Sequence, residues 1–333
     1  MKRLLMATAA VALLATSPAL ADCGDGEMVI KFAHVVTATG HPKGEFAEDL
    51  AKAVNEEMDG TACMVVFPNS QLYDDDKVME AMLLGDVQLA APSLSKFEAY
   101  TKKYRIWDFP FLFPNMEAVD AFAKSPKGQE LLDSIQDSGF QGLGYLFNGL
   151  KQFSANRPLN EPSDAAGLKY RIQTSDVAEA MIEALGGTAQ KLAFNEVYGA
   201  LQTGVVDGQE NSWSNIYTQK FFEVQDGITE TNHQMLTYLM VAPSEWLDGL
   251  EPEVRETFLG IVEREVDAAN AKATAINDEA KAKIIEAGSV VRELTDEQRQ
   301  AWVDIMRPVW DQFIEDVGQD TVDAALEAGK QGS

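Results

Sequence analysis

GLKYRIQTS (residues 167–175) and DGQENSWSNIYTQKFFEV (residues 207–224) bracket the stretch that decides how this 333-residue chain is read. A short apolar run, Leu168 to Ile172, is interrupted by Arg171. Two helical patterns ending in glycine follow, at Gly186-Gly187 and at Gly204, and then a strand-like VVDG at 205–208. The stretch closes on Gln209, Glu210, Asn211, Trp213 and Asn215. A cation on a buried strand, set beside an amide and an indole, has the parts needed to grip a small anion. The expectation is a chain that holds a carboxylate and performs no reaction on it.

Working outward, the N-terminus reads as an export signal. Lys2 and Arg3 precede the apolar run Leu4 to Leu14, and Ala19-Leu20-Ala21 is a small-residue cleavage site. Cleavage after Ala21 and a periplasmic location are expected. The formal net charge is -26, and loss of Lys2 and Arg3 makes the mature chain two units more negative, -28. Such a surface argues against nucleic acid or anionic lipid as partner. An anionic ligand must therefore be captured by local cations against the overall field. The two cysteines, Cys23 and Cys63, precede and begin two strand patterns. An even count in an oxidising compartment points to a disulfide, with two free thiols as the alternative.

The body of the chain alternates strand and helix. Val29–Val35, Met64–Phe67 and Val87–Ala91 read as buried strands. Between them lie a helix entered at Pro42 and one begun by Asp74 to Asp76. Such βαβαβ order implies a parallel sheet covered on both faces. DFPFLFP, residues 108–114, resists helix and strand and reads as a linker packed over a core. A strand at Gly142–Phe147 precedes a second alternation. There Leu168–Ile172 is a strand, Asp176 with Glu179 resembles a capping box, and Val205-Val206 is another strand. From Pro252 to Ala287 one apolar stripe persists without a proline. It reads either as one helix about 50 Å long or as two helices broken near Asn277. The fold class is α/β with two lobes.

Signatures of catalysis are missing. There is no GxxxxGK[ST], GxSxG or HExxH, and the three histidines have no metal-ligand spacing. No cofactor and no metal are expected. What remains looks like recognition. Arg171 can fork onto a carboxylate or serve a structural salt bridge, and the local pattern allows both. Asn211 can add an amide donor. Trp213 can wall a pocket or be core. Lys43 and Lys151, taken singly, read as surface lysines. Ser93 ends the third strand, where ligands bind in open α/β sheets.

Four segments carry a wider resemblance: KFAHVVTATGHPKG, FPNSQLYDDDKVMEAMLLGDVQLAAPSLSKF, SANRPLNEPSDAAGLKYRIQTS and FNEVYGALQTGVVDGQENSWSNIYTQKFFEVQ. Together they resemble the DctP-type solute-binding subunits of TRAP transporters, from about Val29 to Trp246. The resemblance implies a two-lobed periplasmic binding protein of the Venus-flytrap kind. Each lobe is a mainly parallel sheet flanked by helices, and a long helix braces both. It implies a receptor that closes on a carboxylate and presents it to TRAP membrane permease subunits for ion-gradient-driven uptake, and a monomer is expected. The implied lobe limits are 22–148 plus about 237–276, and 149–236 plus about 277–310. Residues 252–287 would be the bracing helix and 311–333 a C-terminal helix.

The arginine of the family's GLKxR pattern pairs with the ligand, which implies that role for Arg171. The asparagine of GQEN carries over to Asn211. Sialic-acid-binding members have a second arginine upstream of SANR, where this chain has Lys151. HPKG with Lys43, PSLSKF with Ser93 and ENSWSN with Trp213 resemble the C4-dicarboxylate branch, and Phe194 joins the expected pocket. The implied ligand is succinate, malate or fumarate, with Lys43, Ser93 and Lys151 at the distal carboxylate. Another organic acid, such as a sugar acid or 2-oxo acid, is the alternative. A secreted enzyme acting on an organic acid is the remote one.

Overall fold

The computed structural model describes residues 23–331, so the expected signal segment 1–21 lies outside the described residues. Ten strands are present among these: β1 (Met28–Ala33), β2 (Ala62–Phe67), β3 (Leu89–Ala90), β4 (Phe140–Ala155), β5 (Lys169–Ile172), β6 (Thr188–Lys191), β7 (Gly208–Ser212), β8 (Gly227–Glu230), β9 (Met235–Pro243) and β10 (Val291–Glu293). The sheet runs β2-β1-β3-β9-β4-β7-β5-β6, with β8 joining β4 to β10. The outer ladders β1–β2, β1–β3, β5–β6 and β5–β7 are parallel. Those around β4 and β9 are antiparallel. The result is a two-lobed α/β fold whose sheets share a crossing strand.

That crossing strand is β4. It pairs with β9 up to Leu150 and with β7 from Lys151 onward. It is longer than the Gly142–Phe147 strand that the apolar pattern suggests, because polar residues up to Ala155 continue the ladder in the second lobe. The expected strand at Val205-Val206 is instead a turn with Val205 half exposed. The strand there is β7, GQENS, fully buried although every residue but glycine is polar. An apolar-run criterion passes over such a strand. One helix cap also moves by a residue: Ser175, not Asp176, accepts from the Ala178 amide at 3.1 Å.

The apolar stripe near the C-terminus forms one unbroken helix, Pro252–Glu286. It packs on helix Pro42–Glu57 of the first lobe, on β4, and on helix Trp213–Thr218 of the second. Asn277, the polar interruption in the stripe, is buried at this junction. Its Nδ2 donates to the Asn148 carbonyl at 2.7 Å, and its Oδ1 accepts from the Ser214 amide at 3.0 Å. The residue that hinted at a break is therefore the one that ties helix to sheet. Gly149 makes room for it, since a Cβ there would stand 3.1 Å from the Asn277 side chain.

The DFPFLFP linker is clamped by the C-terminal segment. Trp310 stacks on Phe109 at 5.4 Å between ring centroids and donates from Nε1 to the Pro110 carbonyl at 2.9 Å. The expected C-terminal helix is two pieces, Ile314–Val317 and Gln319–Gln331, and the second packs on helix Met116–Lys124.

Cys23 and Cys63 form a disulfide, and Cys63 pairs in register with Val29 on the neighbouring strand. The bridge closes a loop with a sequence separation of 40. In the chain-entropy picture, closing such a loop stabilises the fold by about 4 kcal/mol. Thiol titration of the denatured, unreduced protein should find no free thiol, and reduction should lower the unfolding free energy by about 2–4 kcal/mol.

Candidate functional site

A cavity lies between the lobes, at the carboxyl ends of β1 and β5, where ligands settle in open α/β sheets. Its walls lie close together and leave about 20 Å³ of free volume. Val35, Val36, Asp75, Asp76 and Lys96 line it from the first lobe. Arg171, Gln173, Phe194, Asn211 and Asn215 line it from the second, with Leu236 and Tyr238 at the floor. Of the residues expected from sequence, Arg171, Asn211 and Phe194 are brought together in these walls.

Arg171 is 1 % exposed. Its Nε and Nη2 donate to the Leu192 carbonyl at 3.1 and 2.8 Å, which fixes the plane of the guanidinium. Among the described residues no carboxylate pairs with it. Burial pushes its pKa down to about 10, against the longer-range pull of Glu210, Asp76, Asp75 and Glu196, so it remains a cation at neutral pH. Phe194 lies 6.0 Å from the guanidinium carbon. The site thus holds a buried cation whose Nη1 meets no acceptor among the described residues.

Two amides are oriented as donors beside it. The Lys43 amide donates to Nδ1 of His41 at 3.1 Å, so the imidazole proton sits on Nε2. That Nε2–H donates to Asn215 Oδ1 at 2.9 Å, and Asn215 Nδ2 donates to Asn211 Oδ1 at 2.6 Å. With its oxygen occupied, Asn211 presents its NH₂ to the cavity. Burial and the Lys43 charge hold His41 well below its ordinary pKa, so the imidazole stays neutral and the chain keeps this polarity. Gln173 is set in the same way: the Ser93 hydroxyl donates to Gln173 Oε1 across the cleft and leaves its NH₂ for the cavity.

The remaining expected residues sit behind the walls. Lys43 and Lys151, which singly read as surface lysines, are each 1 % exposed. Lys43 Nζ lies 3.9 Å from the Tyr238 ring centroid and donates to the Ala91 carbonyl at 3.0 Å. Lys151 Nζ pairs with Glu210 at 2.9 Å and donates to Gln234 Oε1 at 2.6 Å. Burial acts to raise the Glu210 carboxyl, but Lys151 and His233 outweigh it and leave the group below its ordinary range. Trp213 is core, packed with Ile216, Phe221 and Ile284.

A family model described as "Bacterial extracellular solute-binding protein, family 7" matches residues 32–316. The chain belongs to this family. It is 55% identical over 330 residues to the C4-dicarboxylate-binding periplasmic protein DctP of Vibrio cholerae, covering 99% of each chain. Among solved structures it resembles a TRAP periplasmic solute-binding protein of Shewanella oneidensis with bound succinate. That match has a TM-score of 0.89 and 44% identity, and covers 91% of this chain and 99% of the other. It also resembles a TRAP periplasmic solute-binding protein of Pseudomonas aeruginosa with bound L-malate, with a TM-score of 0.84 and 42% identity. There the cover is 86% of this chain and 99% of the other.

Several wall residues of this family member were not singled out by sequence reading: Gln173, Lys96, Asp75, Asp76 and Tyr238. Gln173 stands two residues after Arg171, the next position on the same face of an extended chain. Lys96 sits inside the PSLSKF motif, and its Nζ meets Asp76 and the hydroxyl of Thr174 across the cleft. Asp75 and Asp76 look like an acidic helix start, and only the fold sets them at the cavity.

A structural arginine and a ligand arginine differ in one measurable respect. Because Arg171 has no carboxylate partner, Arg171→Met should leave the unliganded protein within about 1 kcal/mol of wild type or more stable. Denaturant unfolding checks this, and a loss of several kcal/mol would mark the side chain as structural.

Proposed function

We propose that this chain is a periplasmic receptor that binds a C4-dicarboxylate between its lobes and hands it to TRAP membrane permease subunits for ion-gradient-driven uptake. The observation that carries this reading is the buried Arg171 guanidinium with two oriented amide donors and no carboxylate of its own. A ligand carboxylate is the counter-charge that such a group lacks. Succinate and L-malate bound to two similar structures support the C4 length.

In this reading Arg171, Asn211 and Gln173 hold one carboxylate, with Phe194 against the ligand. The distal carboxylate meets Lys96 and the charge of Lys43 behind Tyr238. Ser93 acts through Gln173. Lys151 neutralises Glu210 beneath the arginine, and Trp213 supports the wall by packing. Two opposed anchors turn ligand length into specificity, because a wrong span leaves a buried charge unpaired. Export with cleavage after Ala21 and a monomeric state belong to the same proposal. The change of β4 pairing between Leu150 and Lys151 supports a hinge near the lobe limits 148/149 and 236/237.

A thermal-shift screen of organic acids tests the reading, since a ligand bound only by the folded state raises the melting temperature. Succinate, malate and fumarate should raise it more than monocarboxylates do. Arg171→Ala should abolish calorimetric binding, a loss of about 2–5 kcal/mol or more, and Arg171→Lys should be nearly as damaging because the planar fork is lost. Lys43→Ala should weaken dicarboxylates more than monocarboxylates, and equal losses would remove Lys43 from the distal anchor.

A further inference from the structure

The cavity contains a group at odds with an anion site. Asp75 lines it, half-buried, and among the described residues no hydrogen bond holds its carboxylate. The groups that face it come from five directions. Asp74 and Asp76 flank it on its own loop, Lys96 faces it from the turn Leu94–Phe97, and Lys43 from helix Pro42–Glu57. Arg171 faces it from β5 and the neutral Tyr238 from β9.

The charges around the cavity can be counted. Lys96 is neutralised by Asp76, and Lys151 by Glu210. Among the described residues Arg171 and Lys43 form no ion pair, so they contribute two positive charges. An ionised Asp75 contributes one negative charge. A dicarboxylate dianion entering this space balances Arg171 and Lys43 by itself, and the ionised Asp75 is then surplus. A surplus half-buried anion beside two further carboxylates is disfavoured unless it is neutralised. Burial already raises the Asp75 carboxyl above its ordinary value before any ligand is present, with Lys43 and Lys96 opposing and Asp76 and Asp74 adding to the rise.

We propose that Asp75 takes up one proton from solvent when a dicarboxylate dianion binds, so that ligand and proton are captured together. The step forms one O–H bond on the Asp75 carboxylate and consumes one proton from water or buffer. The protonated carboxyl then becomes a hydrogen-bond donor to the ligand instead of a repelling charge. This inference rests on the dicarboxylate reading above. Its sign follows from linkage: if the complex binds one more proton than the free protein and ligand, affinity must fall as pH rises.

Titration calorimetry with succinate, repeated in buffers of different ionisation enthalpy, counts the protons. Wild type should take up about one proton per succinate at neutral and mildly alkaline pH. Its affinity there should fall by about tenfold per pH unit. Asp75→Asn should take up none, show a flat profile over the same range, and bind more tightly than wild type at the alkaline end. Binding by wild type without proton uptake overturns the proposal and leaves the dicarboxylate reading intact. Uptake that persists in Asp75→Asn assigns the proton to the ligand or another group, and also overturns it. Absence of heat with succinate, malate and fumarate alike would overturn the dicarboxylate reading and this inference together. If Asp75→Asn fails to fold by circular dichroism, the wild-type proton count and pH slope still decide.

Discussion

The structure depends on a guanidinium kept out of water without a carboxylate to meet it. Removing an ion from water costs several kcal/mol, and attraction to a partner ordinarily offsets this. Arg171 is held by the Leu192 carbonyl alone, so its geometry is fixed while its charge stays uncompensated. In the proposed reading the compensating charge is left to a ligand. Closing the lobes around an empty site is then unfavourable, and closing them around an anion is not. A cation of this kind couples occupancy to lobe closure, which is a population shift produced by differential affinity for two states.

The amides beside the arginine show how a neutral network assigns direction. An asparagine side chain offers donor and acceptor equally, and only its neighbours decide which end faces a ligand. The decision begins at His41, whose Nδ1 accepts from the Lys43 amide, and passes through Asn215 to Asn211. Because the imidazole is buried next to a lysine, it stays neutral and the sequence of donors does not reverse. Ser93 performs the same service for Gln173. Both relays join residues of opposite lobes, so the donors are fully aligned only when the cleft is shut.

The scaffold that brings the halves together is a strand and a helix that each serve both lobes. Strand β4 changes partners midway, and the helix Pro252–Glu286 lies along it. A continuous apolar stripe would hold such a helix by burial alone, which is non-directional. Asn277 adds direction by bonding the Asn148 carbonyl and the Ser214 amide, which fixes the helix where the lobes meet.

By itself the sequence determined the alternation of strand and helix, the long uninterrupted stripe, the cysteine pair and the odd arginine in an apolar strand. Each is a local pattern, set by side-chain periodicity, by chain geometry or by the cost of a charge among apolar neighbours. The tertiary structure decided whatever depends on which distant groups meet. Strand β7 is invisible to an apolar criterion because its buried side chains are polar, with Gln209 and Glu210 met by Ser154 and Lys151 of the distant strand β4. Lys43 and Lys151 look like surface residues until a ring, a carbonyl or a carboxylate from another element receives them. Asp75 and Asp76 look like a solvated helix start until the loop faces the opposite lobe. Whether Arg171 was a salt bridge or a ligand grip was equally open, since only the folded arrangement could show that no carboxylate of the described residues pairs with it.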